Sequence, residues 1–176
     1  MTTIYLIRHA EAAATIGDTD PDLSEHGSTQ AHQLAATFCA SHAPMPVICS
    51  PLKRALATAT IISTAWEQSP HSDPRFVELP CPVAENRRRD WLRGVMRGEW
   101  NEQTRKLQHW RSQAIDALEA LEQDTIIVTH FVLINALVGW VQQRNEVVIF
   151  EPGNGSRKEI TRADDGRYTV TTPSRD

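Results

Sequence analysis

The sequence contains no apolar run long enough to cross a bilayer, so we expect no membrane-spanning helix. Its N-terminal region also lacks the apolar segment and the small-residue cleavage site of a secretory signal, because Arg8, His9 and Glu11 interrupt it. Cysteines are few, and no two of them have CxxC spacing: Cys39, Cys49 and Cys81. An odd number of cysteines is typical of reduced thiols in a cytosol. These absences together predict a soluble, cytoplasmic protein.

Sequence motifs for metal ions and for nucleotide phosphates are absent as well. The seven histidines show no HExxH pattern and no other ligand spacing with carboxylates, and there is no Walker-type glycine loop. We therefore expect no metal and no cofactor. The formal net charge of −4 and the 23% of charged residues give no reason to expect nucleic acid or a membrane surface as a partner.

The length of 176 residues, without a repeat or a low-complexity linker, predicts one domain over residues 1–176 with a sizeable core. Apolar runs predict strands over residues 4–7, 47–49, 125–129 and 147–150, and a brief extended segment over 75–79. Helical spacing of apolar residues predicts helices over residues 27–41, 51–66, 102–121 and 131–141, with a short helix around 85–96.

The order of these elements predicts the fold class. Strands and helices alternate, which is typical of an α/β fold with a three-layer α/β/α architecture and a mostly parallel central sheet flanked by helices. Asp165-Gly166 predicts a hairpin between residues 156–162 and 167–171, which we expect as an antiparallel edge of the sheet. Ser50 and Pro51 have the residue types preferred at the N-cap and first position of the second helix.

Polar residues follow three of the predicted strands. Arg8 and His9 follow the first strand, Ser50 and Arg54 follow the second, and His130 follows the strand at 125–129. Each of them alone fits a local hydrogen-bonding role. Ligands of open α/β sheets bind beyond the carboxyl ends of the strands, and arginine is well suited to hold phosphate. Together these residues predict an anion pocket that contains two imidazoles.

Four sequence blocks in order resemble the histidine phosphatase superfamily, also called the phosphoglycerate-mutase-like family. They span residues 4 to about 140: Arg8-His9-Ala10-Glu11, then residues 23–31, residues 49–59, and Val128-Thr129-His130-Phe131. The resemblance implies that His9 is the nucleophile that forms a phosphohistidine, and that Arg8, Arg54 and His130 hold the phosphoryl oxygens. It also implies a carboxylic acid as proton donor.

The segment Arg75-Phe76-Val77-Glu78 is similar to the one in which relatives carry that acid, so Glu78 is the expected donor and Glu85 the reserve. Several relatives have a phosphate-binding Asn where this chain has Thr15, which can donate through its hydroxyl. Phe131 stands where a glycine is more usual. Residues 79–122 depart from the family pattern and form the expected cap.

The resemblance implies a metal-independent phosphatase that acts on a small phosphorylated substrate. A protein phosphohistidine phosphatase, with a phosphoprotein partner, and a non-catalytic phosphate-binding or interaction module are the alternatives. A phosphoglycerate mutase fits less well, because the chain is short and its cap region departs from that pattern. The run Arg87-Arg88-Arg89 fits either a solvated helix face or a rim that attracts a second phosphate or an acidic partner. Substrate identity and oligomeric state stay open at this stage.

Overall fold

A mixed sheet of six strands organises the computed structural model, which describes residues 1–14 and 17–171. The strands are β1 (Thr2–Arg8), β2 (Val47–Cys49), β3 (His71–Ser72), β4 (Thr125–Thr129), β5 (Arg157–Arg162) and β6 (Tyr168–Thr171). Their order across the sheet is β3-β2-β4-β1-β5-β6. The first four strands in this order are parallel to one another, whereas β5 is antiparallel to β1 and β6 is antiparallel to β5. The predicted parallel sheet with an antiparallel C-terminal hairpin is confirmed.

The α-helices are α1 (Glu25–Ser41), α2 (Lys53–Thr64), α3 (Glu85–Met96), α4 (Arg105–Glu119) and α5 (Phe131–Val141). Two one-turn 3-10 helices lie at Pro74–Phe76 and Trp100–Glu102. Within residues 1–14 and 17–171, none of the helices has the length and apolar character needed to cross a membrane.

Alternate residues of the central strands point to opposite faces of the sheet, and each face has its own hydrophobic core. On one face, Tyr5 and Ile7 pack with Phe38 of α1 and with Ile62 of α2. On the other face, residues such as Leu6 and Ile127 pack with α4, α5 and the inner side of α3. The three-layer α/β/α arrangement follows from strands that are apolar on both sides.

Two predicted extended segments are wrong. Residues 147–150 form no strand, because the side chain of Asn135 accepts hydrogen bonds from the backbone N–H groups of Ile149 (2.9 Å) and Phe150 (3.1 Å). Residues 74–76 form a 3-10 turn instead of an extended segment. Asp73 caps that turn by accepting from the backbone N–H of Arg75 (2.9 Å).

Candidate active site

His9 lies immediately after β1 and is 7% exposed. Its backbone N–H donates to the carbonyl of Thr129, the last residue of β4 (2.9 Å). The ring Nδ1 lies 2.7 Å from the carbonyl oxygen of Ala10, which can only accept, so Nδ1 carries the proton. The lone pair is therefore on Nε2, which accepts from Nε of Arg54 at 3.2 Å.

His130 lies at the end of β4 and is fully buried, with its ring centroid 5.1 Å from that of His9. Nη2 of Arg54 lies 3.5 Å from Nδ1 of His130, and because arginine only donates, Nδ1 is the acceptor. The remaining nitrogen, Nε2, donates to Oγ of Ser50 at 2.7 Å. Ser50 thus positions His130 and is not the N-cap predicted for α2, whose N-cap is Leu52.

The two arginines of the site are held by their own contacts. Arg54, in the first turn of α2, has Nη1 3.5 Å from a carboxylate oxygen of Asp20. Arg8 donates from Nη1 to the carbonyl of Pro152 (2.7 Å), and its guanidinium carbon lies 5.4 Å from the centre of the Phe131 ring. Nε of Arg8 is buried without a partner among the described residues. Such an unpaired buried donor is suited to donate a hydrogen bond to an anionic ligand.

Burial makes both imidazoles neutral. It lowers the pKa of His9 to about 4, and the charges of Arg54 and Arg8 act in the same direction. Burial also lowers the pKa of His130 to about 2, with His9 and the two arginines adding to the effect. At neutral pH the Nε2 atom of His9 is therefore unprotonated, as a nucleophile requires.

Glu78 lies at the same end of the sheet as these residues and is half-buried. Its carboxyl oxygens accept from the backbone N–H groups of Leu79 (2.9 Å) and of Val132 in the first turn of α5 (3.4 Å). Burial raises the pKa of Glu78 against the opposing effect of these hydrogen bonds and of Arg54 and Arg8. Glu85, by contrast, is exposed at the first residue of α3.

Two sets of hydrogen bonds that hold the backbone around His9 were not predicted from the sequence. The loop before β5 binds its backbone, since Nδ2 of Asn154 donates to the carbonyl of His9 (3.1 Å) and the N–H of Gly155 donates to the carbonyl of Arg8 (3.1 Å). Oγ1 of Thr58 accepts from the N–H of Ala10 (3.1 Å) and donates to the carbonyl of Arg54 (2.7 Å). Two features of the sequence could have indicated these residues: Thr58 lies inside the third block, and Asn154 lies in a glycine-rich turn.

The block at residues 23–31 packs against the chain just after His9. Ser24 donates to the carboxylate of Glu11 (2.7 Å), and the side chain of Gln30 accepts from the backbone N–H of Glu11 (2.9 Å). A Cβ atom on Gly27 would lie 1.9 Å from the carbonyl oxygen of Glu11, which explains the glycine in this block. Thr15, the predicted phosphate ligand, lies outside the described residues.

Comparison with known proteins identifies the family. The model of the histidine phosphatase superfamily (branch 1) matches residues 4–173. The chain belongs to this superfamily. Histidine phosphatase relatives include a Yersinia pestis protein named "Probable phosphoglycerate mutase GpmB", which is 36% identical over 124 residues. That match covers 68% of this chain and 52% of the relative, so the chain spans about half the length of the curated relatives it matches first.

Solved structures of two phosphatases share the fold. A mycobacterial glucosyl-3-phosphoglycerate phosphatase has a TM-score of 0.76 at 19% identity and covers 98% of both chains. A phosphoserine phosphatase from Entamoeba histolytica has a TM-score of 0.75 at 20% identity, over 98% of this chain and 96% of its own. At these identities the two likenesses show a shared fold.

Proposed function

We propose that the protein is a metal-independent phosphatase that hydrolyses small phosphomonoesters through a phosphohistidine on His9. The observation that carries this proposal is the fixed tautomer of His9, which leaves an unprotonated Nε2 beside Arg54 and His130. We take the whole chain as one domain, with residues 79–122 as an insert between Glu78 and β4.

The proposed reaction has two steps at phosphorus. In the first, Nε2 of His9 attacks, the N–P bond forms, and the ester P–O bond breaks while Glu78 gives its proton to the leaving oxygen. In the second, Glu78 takes a proton from water, whose oxygen attacks phosphorus and breaks the N–P bond. Phosphate leaves and His9 is restored.

Charge stabilisation in this mechanism comes from the fixed cations and donors around His9. Arg8 and Arg54 hold the phosphoryl oxygens with permanently charged, planar groups. The neutral His130 donates to a phosphoryl oxygen the Nε2 hydrogen that it gives to Ser50 in the free protein. Thr15 is kept in the proposal as a further phosphate ligand through its hydroxyl. Because two permanent cations face the phosphoryl group, the proposal needs no metal to balance its charge.

The first experiment uses an aryl phosphate in the presence of a chelator. We expect the wild type to release phosphate and the variant His9→Ala to be slower by about 1000-fold or more. His32→Ala, at an exposed position of α1, is the matched control and should retain wild-type activity. Rapid acid-free quenching should trap phosphorus on the wild-type protein in an acid-labile, alkali-stable form.

Other outcomes would favour the alternatives. Equal activity of wild type and His9→Ala would remove His9 from the role of nucleophile. Binding of phosphate without hydrolysis would favour a non-catalytic module. Hydrolysis restricted to a phosphohistidine-containing protein would identify a protein phosphohistidine phosphatase, and transfer to an added phosphoglycerate without release of phosphate would identify a mutase.

A further inference from the structure

A second pocket, here called the indole pocket, lies where the 3-10 turn at Trp100–Glu102 meets α4 and the chain that follows α5. It has a volume of about 460 Å³. Five residues line it: Trp100, Asn101, Gln108, Arg111 and Asn145. None of these five is among the residues placed around His9, so the proposed phosphatase reaction does not use the indole pocket.

Hydrogen bonds fix the walls of the indole pocket. The backbone N–H of Trp100 donates to the carbonyl of Asn145 (2.7 Å), and Nε2 of Gln108 donates to the carbonyl of Trp100 (3.2 Å). The side chain of Asn145 also accepts from the backbone N–H of Asn101 (3.3 Å). The indole ring of Trp100 is 2% exposed and has its centre 6.1 Å from that of Trp110. The pocket is thus formed before any ligand binds, which lowers the entropic cost of binding.

Two donors of the indole pocket are buried and unpaired. Nε1 of Trp100 and Nε of Arg111 have no hydrogen-bond partner among residues 1–14 and 17–171. Arg111 is half-buried and makes no ion pair with any residue of those ranges; its guanidinium carbon lies 5.0 Å from the centre of the Trp100 ring. Burial lowers the pKa of Arg111. Because buried donors are normally paired and a cation removed from water needs a counter-charge, these two groups together match an anionic ligand.

The charges around the indole pocket favour a carboxylate over a phosphate. Arg111 is the one cation among the five residues that line it. A negative charge is already close, since Nδ2 of Asn145 donates to the carboxylate of Glu99 at 2.7 Å. A phosphate dianion would meet a single cation and would be repelled by Glu99, whereas one carboxylate is matched in charge and shape by the planar fork of an arginine.

We propose that the indole pocket binds the carboxylate group of a small molecule, held by the guanidinium group of Arg111 with the indole N–H of Trp100 as a second donor. The contacts are charge-assisted hydrogen bonds, and no covalent step is involved. This binding site is independent of the proposed phosphatase function, because no residue around His9 takes part in it.

The test follows the indole N–H signal of Trp100 by NMR of ¹⁵N-labelled protein at constant ionic strength. The chain has five tryptophans, and the spectrum of Trp100→Phe identifies the signal of Trp100 by its absence. Acetate is the probe, and we expect it to shift this signal saturably, with a Kd on the order of 1 mM. Acetamide has the same shape without the charge and should leave the signal in place. Inorganic phosphate should bind about 10-fold or more weakly than acetate.

Variants of α4 assign the shift to the indole pocket. Arg111→Gln should weaken the binding of acetate about 10-fold or more, and Arg111→Lys should keep part of the affinity. Arg105→Gln, at an exposed position of the same helix, is the matched control and should bind as the wild type does. The other four indole signals report whether each variant is folded. No saturable shift with acetate, an equal shift with acetamide, or wild-type affinity in Arg111→Gln would overturn the inference, and tighter binding of phosphate than of acetate would overturn the choice of a carboxylate.

Discussion

The buried His9 and the half-buried Glu78 are ionisable groups whose pKa values shift in opposite directions, that of His9 downward and that of Glu78 upward. Burial holds His9 in its neutral form and favours the protonated form of Glu78. A neutral nucleophile and a protonated acid are the forms that the first step of the proposed reaction needs. The same physical cause, removal from water, thus prepares both groups, because one is charged when protonated and the other when deprotonated.

Replacing the proposed acid should affect substrates according to their leaving group. We expect Glu78→Gln to reduce kcat for alkyl phosphates by about 100-fold or more, because a poor leaving group needs its proton, and to reduce kcat for an aryl phosphate much less. Glu85→Gln, at an exposed site, is the control and should change neither rate. Steady-state rates with both substrate types decide the matter, and an equal loss on both would remove Glu78 from the acid role.

The residues near His9 differ in how far the sequence could predict them. Arg8, Arg54 and His130 follow apolar strands or a motif block, and the structure brings them together around His9. The sequence could not predict the bonds that Asn154 makes to residue 9 across 145 positions, since no local pattern encodes such a contact. The sequence also left the role of the arginine run of α3 open, because it does not show which of the three adjacent arginines is half-buried.

Strand β4 and helix α5 were predicted with their observed bounds, whereas the predicted ends of α1, α2 and α4 differ from the observed ones by two or three residues. Residues 147–150 were wrongly predicted as a strand. An apolar run in the sequence does not show whether its backbone N–H groups bond to a neighbouring strand or to a side chain, and here those of Ile149 and Phe150 bond to the amide oxygen of Asn135. The start of α2 was misplaced for a similar reason. Ser50 has the residue type of a cap, but its hydroxyl is 2.7 Å from His130.

Thr58 of α2 should matter for the geometry of the site. Thr58→Val removes the acceptor of the Ala10 N–H inside the protein, so we expect the free energy of unfolding to fall by about 1–3 kcal/mol and kcat to fall as His9 loses its fixed position. Thr60→Val is the matched control, because Thr60 is exposed on the same helix and bonds only to the carbonyl of Leu56. Denaturant unfolding and steady-state rates measure both effects. Equal changes in the two variants would assign them to the helix and not to the site.

The arrangement of the whole sheet was predicted in its parallel part and in its terminal hairpin. The position of that hairpin was not specified beyond an edge, and the structure pairs β5 directly with β1 in antiparallel register. This pairing brings residues 152–156 to the end of β1, where they bind Arg8 and His9. Which strand neighbours β1 depends on long-range packing, and the periodicity of single elements carries no information about it.

The buried imidazoles should make the stability of the whole molecule depend on pH. The pKa of His9 is about 4 in the folded protein and 6.5 in the unfolded chain. Between pH 4 and pH 6.5, the unfolded chain therefore binds a proton at His9 that the folded protein does not bind. Stability is therefore fully present above pH 6.5 and is lost as the pH falls towards 4, by up to about 1.4 kcal/mol per pH unit for this residue. His130 should add in the same direction.

Denaturant unfolding between pH 6.5 and 5 measures this slope. His9→Gln should reduce this slope by the contribution of about one proton, up to about 1.4 kcal/mol per pH unit. His32→Gln replaces an exposed imidazole and should leave the slope unchanged. A slope in His9→Gln equal to that of the wild type would contradict the low pKa of His9.

The placement of β1 between β4 and β5 also determines when the site can exist during synthesis. Strand β1 precedes its partners in the chain: it pairs with residues 125–129 and 157–162, and the backbone of His9 is held by Asn154 and by Thr129. Until residues 125–129 and 157–162 have emerged, β1 is an apolar strand with at least one open edge, the kind of segment that chaperones bind and that aggregates. The proposed nucleophile is thus translated before the residues that hold its backbone in place.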